Sequence, residues 1–210
     1  MRHWPVLDLR LTTPRLELRM PSLEDLDELA ERALEGVHDP DVMPFGVPWT
    51  DAPAAELPGN VIRHQLGVIS RWRPERWCCN FVVVHEGQVV GTQELSADGF
   101  LVTREVHTGS WLGRAHQGQG LGTEMRAAVL HLAFTGLRAL TAVSSAFQDN
   151  PASLGVSRKL GYRPDGLMVD EVRGRRAVQQ RLRLDRADFT DPVPVRIHGL
   201  EPCLPLFGLR

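Results

Sequence analysis

Three glycines at alternate positions open the most informative stretch of this chain. Gly118, Gly120 and Gly122 follow a short β-run that ends near Trp111 and Leu112, and a helical pattern begins directly after them. Without Cβ atoms, these residues let backbone N–H groups turn toward one point and let a ligand approach closely. The first turn of the next helix adds unpaired amides and the positive end of its dipole. Together these features predict an anion site suited to a pyrophosphate.

The loop differs from two common phosphate-binding motifs. The ATP-binding loop needs a lysine after its last glycine, but Thr123 follows Gly122 directly. The dinucleotide fingerprint needs a glycine at the position of Thr123 and an acidic residue ~20 positions further on in a second strand. The remaining pattern is Q-x-x-G-x-G, read from Gln117, Gly120 and Gly122. It resembles the pyrophosphate-binding loop of the GNAT (GCN5-related) N-acetyltransferases, which bind acyl-coenzyme A.

The composition is that of an ordinary soluble domain. The chain has 210 residues, a formal net charge of −2, and three cysteines without a C-x-x-C pair. This balance predicts no general affinity for nucleic acid or an anionic membrane, and no disulfide scaffold or zinc site. Apolar runs stay well short of the ~20 residues that span a bilayer. We therefore expect one cytoplasmic domain over residues 1–190 without a metal, and an apolar, proline-rich tail over 191–210 that packs on the body or a partner subunit.

The periodicity along the chain predicts the order β–α–α–β–β–β–α–β–α–β–β. This order indicates an α/β (α+β) fold with a mixed central sheet of about seven strands and flanking helices. The predicted elements are a strand over 9–20 broken at Pro14, a helix capped by Ser22, a helix from Val61 to Trp72, a hairpin around Glu86 and Gly87, a strand over 100–112, a helix from Leu121 to Gly136, a strand over 139–147, a helix from Pro151, and a hairpin around Arg173 and Gly174.

That layout is the one of the GNAT fold, and five separate stretches strengthen the resemblance. They fall in the order and spacing of the ribosomal-protein Nα-acetyltransferase (RimJ/RimL-type) branch, over residues 9–189. The five stretches are Gly91 to Leu95, Gly109 to Leu112, Gln117 to Gly122, Asn150 to Ser153, and Lys159 to Tyr162.

The resemblance implies where an acyl-CoA would bind. The strands ending at Leu112 and Phe147 would splay apart, and the pantetheine arm would lie in the gap, bonded to free backbone groups. One backbone N–H there would polarise the thioester carbonyl. The implied CoA-binding residues are Trp111, Leu112, Gly113, Gln117, Gly118, Gln119, Gly120, Leu121, Gly122, Thr123, Asn150 and Ser153. Asn150 also suits a helix N-cap, and the two roles are compatible.

The resemblance also suggests how protons would move. Ser153 matches the position whose hydroxyl lies near the sulfur, so it is the candidate acid. Relatives often carry a carboxylate where this chain has His107, and a histidine is a competent base at neutral pH. Glu94, on the neighbouring strand, is the second candidate base. Glu105 and His116 rank lower.

The acceptor and the acyl donor stay open at this point. Transfer of acetyl from acetyl-CoA to a protein N-terminus or lysine is the first hypothesis. An α-amine titrates near ~7.7–8.0 and a lysine near ~10.4, so a site without a strong base favours the α-amine. The alternatives are succinyl or a longer acyl group guided by Arg104 or Arg114, a small amine drawn to the acidic segment 37–60, and a non-catalytic acyl-CoA-binding module. A homodimer is a further possibility.

Overall fold

The computed structural model describes residues 1–209 and has an α/β fold with one mixed sheet and flanking helices. The strands are β1 (Arg10–Thr12), β2 (Leu16–Arg19), β3 (Arg76–His85), β4 (Gln88–Asp98), β5 (Glu105–Leu112), β6 (Thr141–Phe147), β7 (Arg163–Val172), β8 (Arg175–Asp185) and β9 (Arg196–His198). The helices are α1 (Leu23–Leu34), α2 (Leu57–Ser70), α3 (Phe100–Thr103), α4 (Leu121–His131) and α5 (Pro151–Lys159). A π-helical turn over Leu132–Gly136 continues α4.

The sheet order is β7-β8-β6-β5-β4-β3-β2-β1-β9, and β5 and β6 run parallel. The described residues thus form nine strands rather than the seven predicted. One extra strand arises because Pro14 lies in a tight turn that divides the first predicted strand into the antiparallel pair β1 and β2. The other arises because the tail contributes β9, which pairs with β1. The fold class itself is confirmed.

Local sequence signals account for most element boundaries. Ser22 and Asp25 form a reciprocal capping box at the start of α1. The tight turns at Glu86-Gly87 and Arg173-Gly174 have positive φ at both positions, as two-residue hairpin loops require. Both hairpins are therefore confirmed.

Two boundaries differ from the sequence prediction. Helix α2 begins at Leu57 rather than Val61, because Pro58 lies in its first turn, where a proline costs no hydrogen bond. Phe100–Thr103 forms one helical turn instead of the start of a strand. Left-handed residues, Gly99 (φ 60°) and Arg104 (φ 50°), bound this turn on either side.

Side chains alternate between two cores on opposite faces of the sheet. The larger core packs α4 against residues such as Val83 and Leu95, and the smaller core packs α1 and α2 against Val82 and Val84. Within residues 1–209, no helix is both long and apolar enough to cross a membrane.

The C-terminal tail packs on the body of the domain, next to Trp72 and Trp77. Its 3-10 helix over Glu201–Phe207 buries Cys203 and Phe207 completely. The Trp72 indole donates a hydrogen bond to the Leu206 carbonyl at 2.8 Å. The Phe207 ring lies edge-on to Trp77, with 4.8 Å between ring centroids.

Candidate functional site: a splayed strand pair and a glycine loop

Strands β5 and β6 begin as neighbours and then separate. Their ladder runs from Glu105 opposite Thr141 to His107 opposite Val143 and stops there. Each strand stays paired on its outer side, β5 with β4 as far as Leu112 and β6 with β8 as far as Phe147. The inner edges beyond the ladder therefore form a gap, bridged at its start by the Ser144 hydroxyl, which donates to the Thr108 carbonyl at 3.0 Å. Backbone groups further along the gap are available to another extended chain.

Two glycines fix the end of β5. A Cβ on Gly91 would lie 2.2 Å from the Trp111 carbonyl oxygen, so β4 can approach β5 this closely only with glycine there. A Cβ on Gly113 would lie 2.7 Å from Cδ of Arg32. The Gly113 N–H donates to the Val90 carbonyl at 2.9 Å, which ends the strand at the mouth of the gap.

The glycine loop, Gln117 to Thr123, lies directly after β5 and ends in α4. Gly118 and Gly120 adopt left-handed backbone conformations, with φ of 75° and 81°. Among residues 1–209, the backbone N–H groups of 118–122 have no hydrogen-bond partner. Five unpaired donors at a helix N-terminus are the arrangement that anion binding requires, and binding of a pyrophosphate there stays a prediction.

Side chains hold this loop in place. The Gln117 amide donates at 2.7 Å to both the Leu112 and Val37 carbonyls, which joins the loop to the end of β5. Arg15 donates from Nε to Oε2 of Glu124 at 2.7 Å and from Nη1 to the Gln119 carbonyl at 3.1 Å. Although burial alone would raise the pKa of the Glu124 carboxyl, hydrogen bonds from Thr13 and Arg15 lower it overall. Glu124 is therefore an anionic brace beneath the loop.

Helix α5 forms the other wall of the gap. The Asn150 side chain caps the helix by accepting from the Ser153 N–H at 3.0 Å. The Ser153 hydroxyl has no partner among the described residues, and it lies in the first turn of α5. The capping role of Asn150 is thus observed, and contact with CoA stays a prediction for both residues.

The candidate bases lie on the α2 side of the sheet. Glu94 is opposite Gly109 on β5, two residues beyond the last parallel rung at His107 and Val143. Its carboxylate accepts from the Ser96 hydroxyl at 2.6 Å. Glu94, Ser96 and His107 line one cavity of about 750 Å³ with residues from the end of α2. The structure thus brings both predicted bases together.

The family follows from a comparison of the sequence with models of known protein families. A model of the acetyltransferase (GNAT) domain matches residues 15–163, which is most of the chain. The chain belongs to the GNAT acetyltransferase family. As a GNAT acetyltransferase, it is an enzyme that uses acetyl-CoA, and the open amides of 118–122 fit the diphosphate of that donor.

Solved structures share the GNAT fold at low sequence identity. Mycobacterium smegmatis RimJ, in complex with CoA-disulfide, is 20% identical with a TM-score of 0.69, over 86% of this chain and 88% of that one. A Vibrio cholerae protein provisionally described as a ribosomal-protein-serine acetyltransferase is 18% identical with a TM-score of 0.64, over 86% of this chain and 99% of that one. A chimera of the Vibrio cholerae spermidine N-acetyltransferase SpeG and hSSAT is 18% identical with a TM-score of 0.63, over 82% and 96%.

A loop covers the α2 side of this GNAT domain near the end of β5. In this covering loop (residues 37–56), Phe45 packs on Trp49, and Trp49 packs on Trp111 with 5.5 Å between ring centroids. Arg173, at the β7–β8 turn, binds the Asp51 carboxylate through two nitrogens. A second cavity of about 600 Å³ lies between this loop, the end of β6 and the β7–β8 hairpin. Val47, in the same loop, is 72% exposed.

The lower-ranked residues have other partners. Glu105 accepts from Arg183 at 3.0 Å. Burial, and then the nearby Arg32 charge, lower the pKa of His116. Arg104 lies over the Phe100 ring at the start of β5, at the opposite end of the strand from the gap. Arg114 is exposed beside Gly36.

Sequence reasoning missed the Arg15–Glu124 brace, the Arg173–Asp51 clamp and a buried arginine, Arg126. The brace joins residues 109 positions apart and the clamp joins residues 122 apart. No local pattern signals such pairs. For Arg126, one sign was available in the sequence. It is a charged residue on the apolar helical face that carries Met125 and Val129, which indicates that it is buried.

Proposed function

We propose that this GNAT enzyme transfers an acetyl group from acetyl-CoA to a primary amine by direct attack, and that it belongs to the RimJ/RimL-type branch. The observation that carries the proposal is the combination of the β5–β6 gap with five unpartnered amides at its mouth. The gap would take the pantetheine arm and the amides would take the diphosphate. The similarity in fold to a RimJ structure that contains a CoA-disulfide supports this placement.

The residues on either side of the gap would divide the reaction between them. A neutral amine reaches the thioester carbon from the α2 side, where Glu94 or His107 accepts its proton. The C–N bond forms, the C–S bond breaks, and sulfur leaves with the bonding electrons. Ser153 would donate a hydrogen bond to that sulfur. We place Glu94 ahead of His107 as base, because Glu94 lies at the level of Gly109, where β5 has separated from β6, whereas His107 lies at the last β5–β6 rung.

The surroundings of the cavity favour a peptide α-amine as acceptor. Arg71 and Arg73 line the cavity, and within residues 1–209 neither pairs with a carboxylate. Two free cations suit a peptide that carries acidic groups near its N-terminus and oppose a polyamine. In the acidic covering loop, Arg173 neutralises one of four carboxylates, Asp51. The other three, Asp39, Asp41 and Glu56, form no salt bridge within residues 1–209, so a polyamine acceptor remains the alternative that the test must exclude. An α-amine is also neutral to a useful extent at neutral pH.

The test is CoA release from acetyl-CoA and from succinyl-CoA with acidic peptides, basic peptides, lysine side chains and spermidine. We expect turnover with acetyl-CoA and the free α-amine of an acidic peptide. Glu94→Gln should lower kcat at least about tenfold, whereas the surface variant Glu201→Gln should not. Faster turnover with spermidine or succinyl-CoA would move the assignment to one of the alternatives. CoA binding without release in every arm would indicate a binding module.

Two further predictions accompany this function. We propose a cytoplasmic location, in keeping with three free cysteines. We also propose that a homodimer forms, since β7 is an edge strand with exposed Leu167 and Val169. Light scattering of the purified protein decides the second point, because a monomeric mass would contradict it.

A further inference from the structure

A buried cation lies behind the β5–β6 gap without a carboxylate to balance it. Arg126, on α4, is 5% exposed, and no acidic side chain within residues 1–209 pairs with it. Its Nε is buried and has no hydrogen-bond partner in that range. A charge taken out of water in this way is costly, so it usually serves a partner that neutralises it.

The hydrogen bonds of Arg126 connect the two walls of the gap. Nη1 donates to the Ser157 hydroxyl at 2.8 Å, and Nη2 donates to the Ser110 hydroxyl at 3.3 Å. The Ser157 hydroxyl in turn donates a hydrogen bond to the Ser153 carbonyl at 3.1 Å. Arg126 thereby links β5 to the first turn of α5, where no backbone ladder joins them.

The Ser110 hydroxyl differs from that of Ser157 in one respect. It accepts from Arg126, but among the described residues its own proton has no acceptor. Ser110 is half-buried and lies on the part of β5 that no longer pairs with β6, beyond the last rung at His107. A cation therefore polarises a free O–H donor at the edge of the gap.

We infer that Arg126, acting through Ser110, stabilises the CoA thiolate as it leaves; this inference rests on the proposed acetyl transfer. When the amine attacks, the C–S bond breaks and both electrons stay on sulfur. The Ser153 hydroxyl is a much weaker acid than a thiol, so it can donate a hydrogen bond but cannot supply a proton easily. A positive charge behind a hydroxyl donor lowers the cost of the sulfur anion before a solvent proton reaches it.

Arg126 lines neither of the two cavities described above. Few titratable groups face this arginine. Tyr162 is nearest; burial raises the pKa of its phenol, which keeps it neutral, and it shares a hydrogen bond with Thr108. Glu94 and His107 lie on the opposite face of the sheet, and Glu124 binds Arg15.

The direct test is to measure the pKa of the CoA thiol in the binary complex. The ultraviolet absorbance of the thiolate is monitored while the pH is varied. A free thiol titrates near ~8.5. We expect the bound thiol to titrate about one unit lower in the wild-type enzyme, which is a tenfold rise in thiolate fraction. Arg126→Met and Ser110→Ala should each remove most of that shift. Arg126→Lys, which keeps the charge, should retain part of it.

Ser157→Ala is the matched control, because it removes the other hydroxyl bound to Arg126 and leaves Ser110 in place. The thiol pKa in this variant should stay close to that of the wild-type complex. An unshifted thiol in wild-type enzyme that binds CoA would overturn this inference and leave the proposed function intact. An equal loss in Ser157→Ala and Ser110→Ala would also overturn it, since packing would then be the cause. If Arg126→Met does not fold, Ser110→Ala decides alone.

Discussion

The two sides of the β5–β6 gap differ in the kind of chemical group that faces the ligand. On the donor side, which comprises the glycine loop, the gap and the start of α5, the proposed binding groups are mainly backbone amides. On the acceptor side, which comprises the covering loop, the β7–β8 hairpin and the two cavities, they are side chains such as Glu94, Arg71 and Asp51. The donor side therefore depends on backbone geometry, and the acceptor side on side chains that can change without changing the fold.

This contrast predicts that variants on the donor side and variants on the acceptor side change different kinetic and binding constants. Changes to backbone geometry should weaken CoA binding for every acceptor. Changes to acceptor-side contacts should alter the KM for the amine and leave the affinity for CoA unchanged. The predictions follow in order of decreasing effect.

Gly91→Ala should have the largest effect, because it disrupts the pairing of β4 with β5, the strand that borders the gap. The new Cβ would lie 2.2 Å from the Trp111 carbonyl, so β4 and β5 must separate near the mouth of the gap. We expect a loss of about 2–4 kcal/mol in the free energy of unfolding, measured by urea denaturation. Gly155→Ala, which places its Cβ in open space, is the control. Equal stability of the two variants would show that β5 is not held at this point.

Gly120→Ala tests the donor side specifically. Its φ of 81° matches the φ of 80° at Gly87, in the distant β3–β4 turn, so Gly120→Ala and Gly87→Ala carry the same backbone strain. We expect Gly120→Ala to raise the Kd for CoA at least about tenfold, or ~1.4 kcal/mol, in a calorimetric titration. Gly87→Ala should bind CoA as the wild type does. If both variants bind equally, the loop is not a phosphate site.

Glu124→Gln tests the brace beneath the loop. We expect a loss of about 1–2 kcal/mol in stability at pH 7 and a CoA affinity several-fold lower, since Arg15 loses its charged partner. The folded-state pKa of Glu124 is depressed, so its contribution is complete above the unfolded pKa of about 4.3 and disappears as the pH falls through the lower folded pKa. Denaturation curves of both proteins should therefore converge in acid. A constant difference down to low pH would contradict the ionic brace.

Arg173→Met should have the smallest effect and should be confined to the acceptor side. It releases Asp51 and the Pro40 carbonyl, and so loosens the covering loop. We expect the KM for the amine to rise about two- to fivefold, with the Kd for CoA unchanged. Arg175→Met, in the same hairpin, is the control. A matching change in CoA affinity would remove the distinction between the two sides.

The sequence could predict those parts that local chemistry determines. The glycine loop, the Ser22 and Asn150 caps and the two hairpin turns depend on residues close together in the chain. The division of the first strand and the addition of β9 depend on tertiary pairing, so the strand number was wrong. The contact between Arg126 and Ser110 arises only when α4 packs behind β5, and no periodicity indicates it.

The claim on which all of this depends is that the amides of 118–122 bind the diphosphate of CoA. Hydrogen exchange of the purified protein, with and without acetyl-CoA, tests it most directly. We predict that saturating acetyl-CoA slows exchange across Gln117 to Thr123, while exchange in the Glu86-Gly87 turn stays the same. Binding of acetyl-CoA that leaves the exchange of these amides unchanged, or no binding at all, would contradict the account.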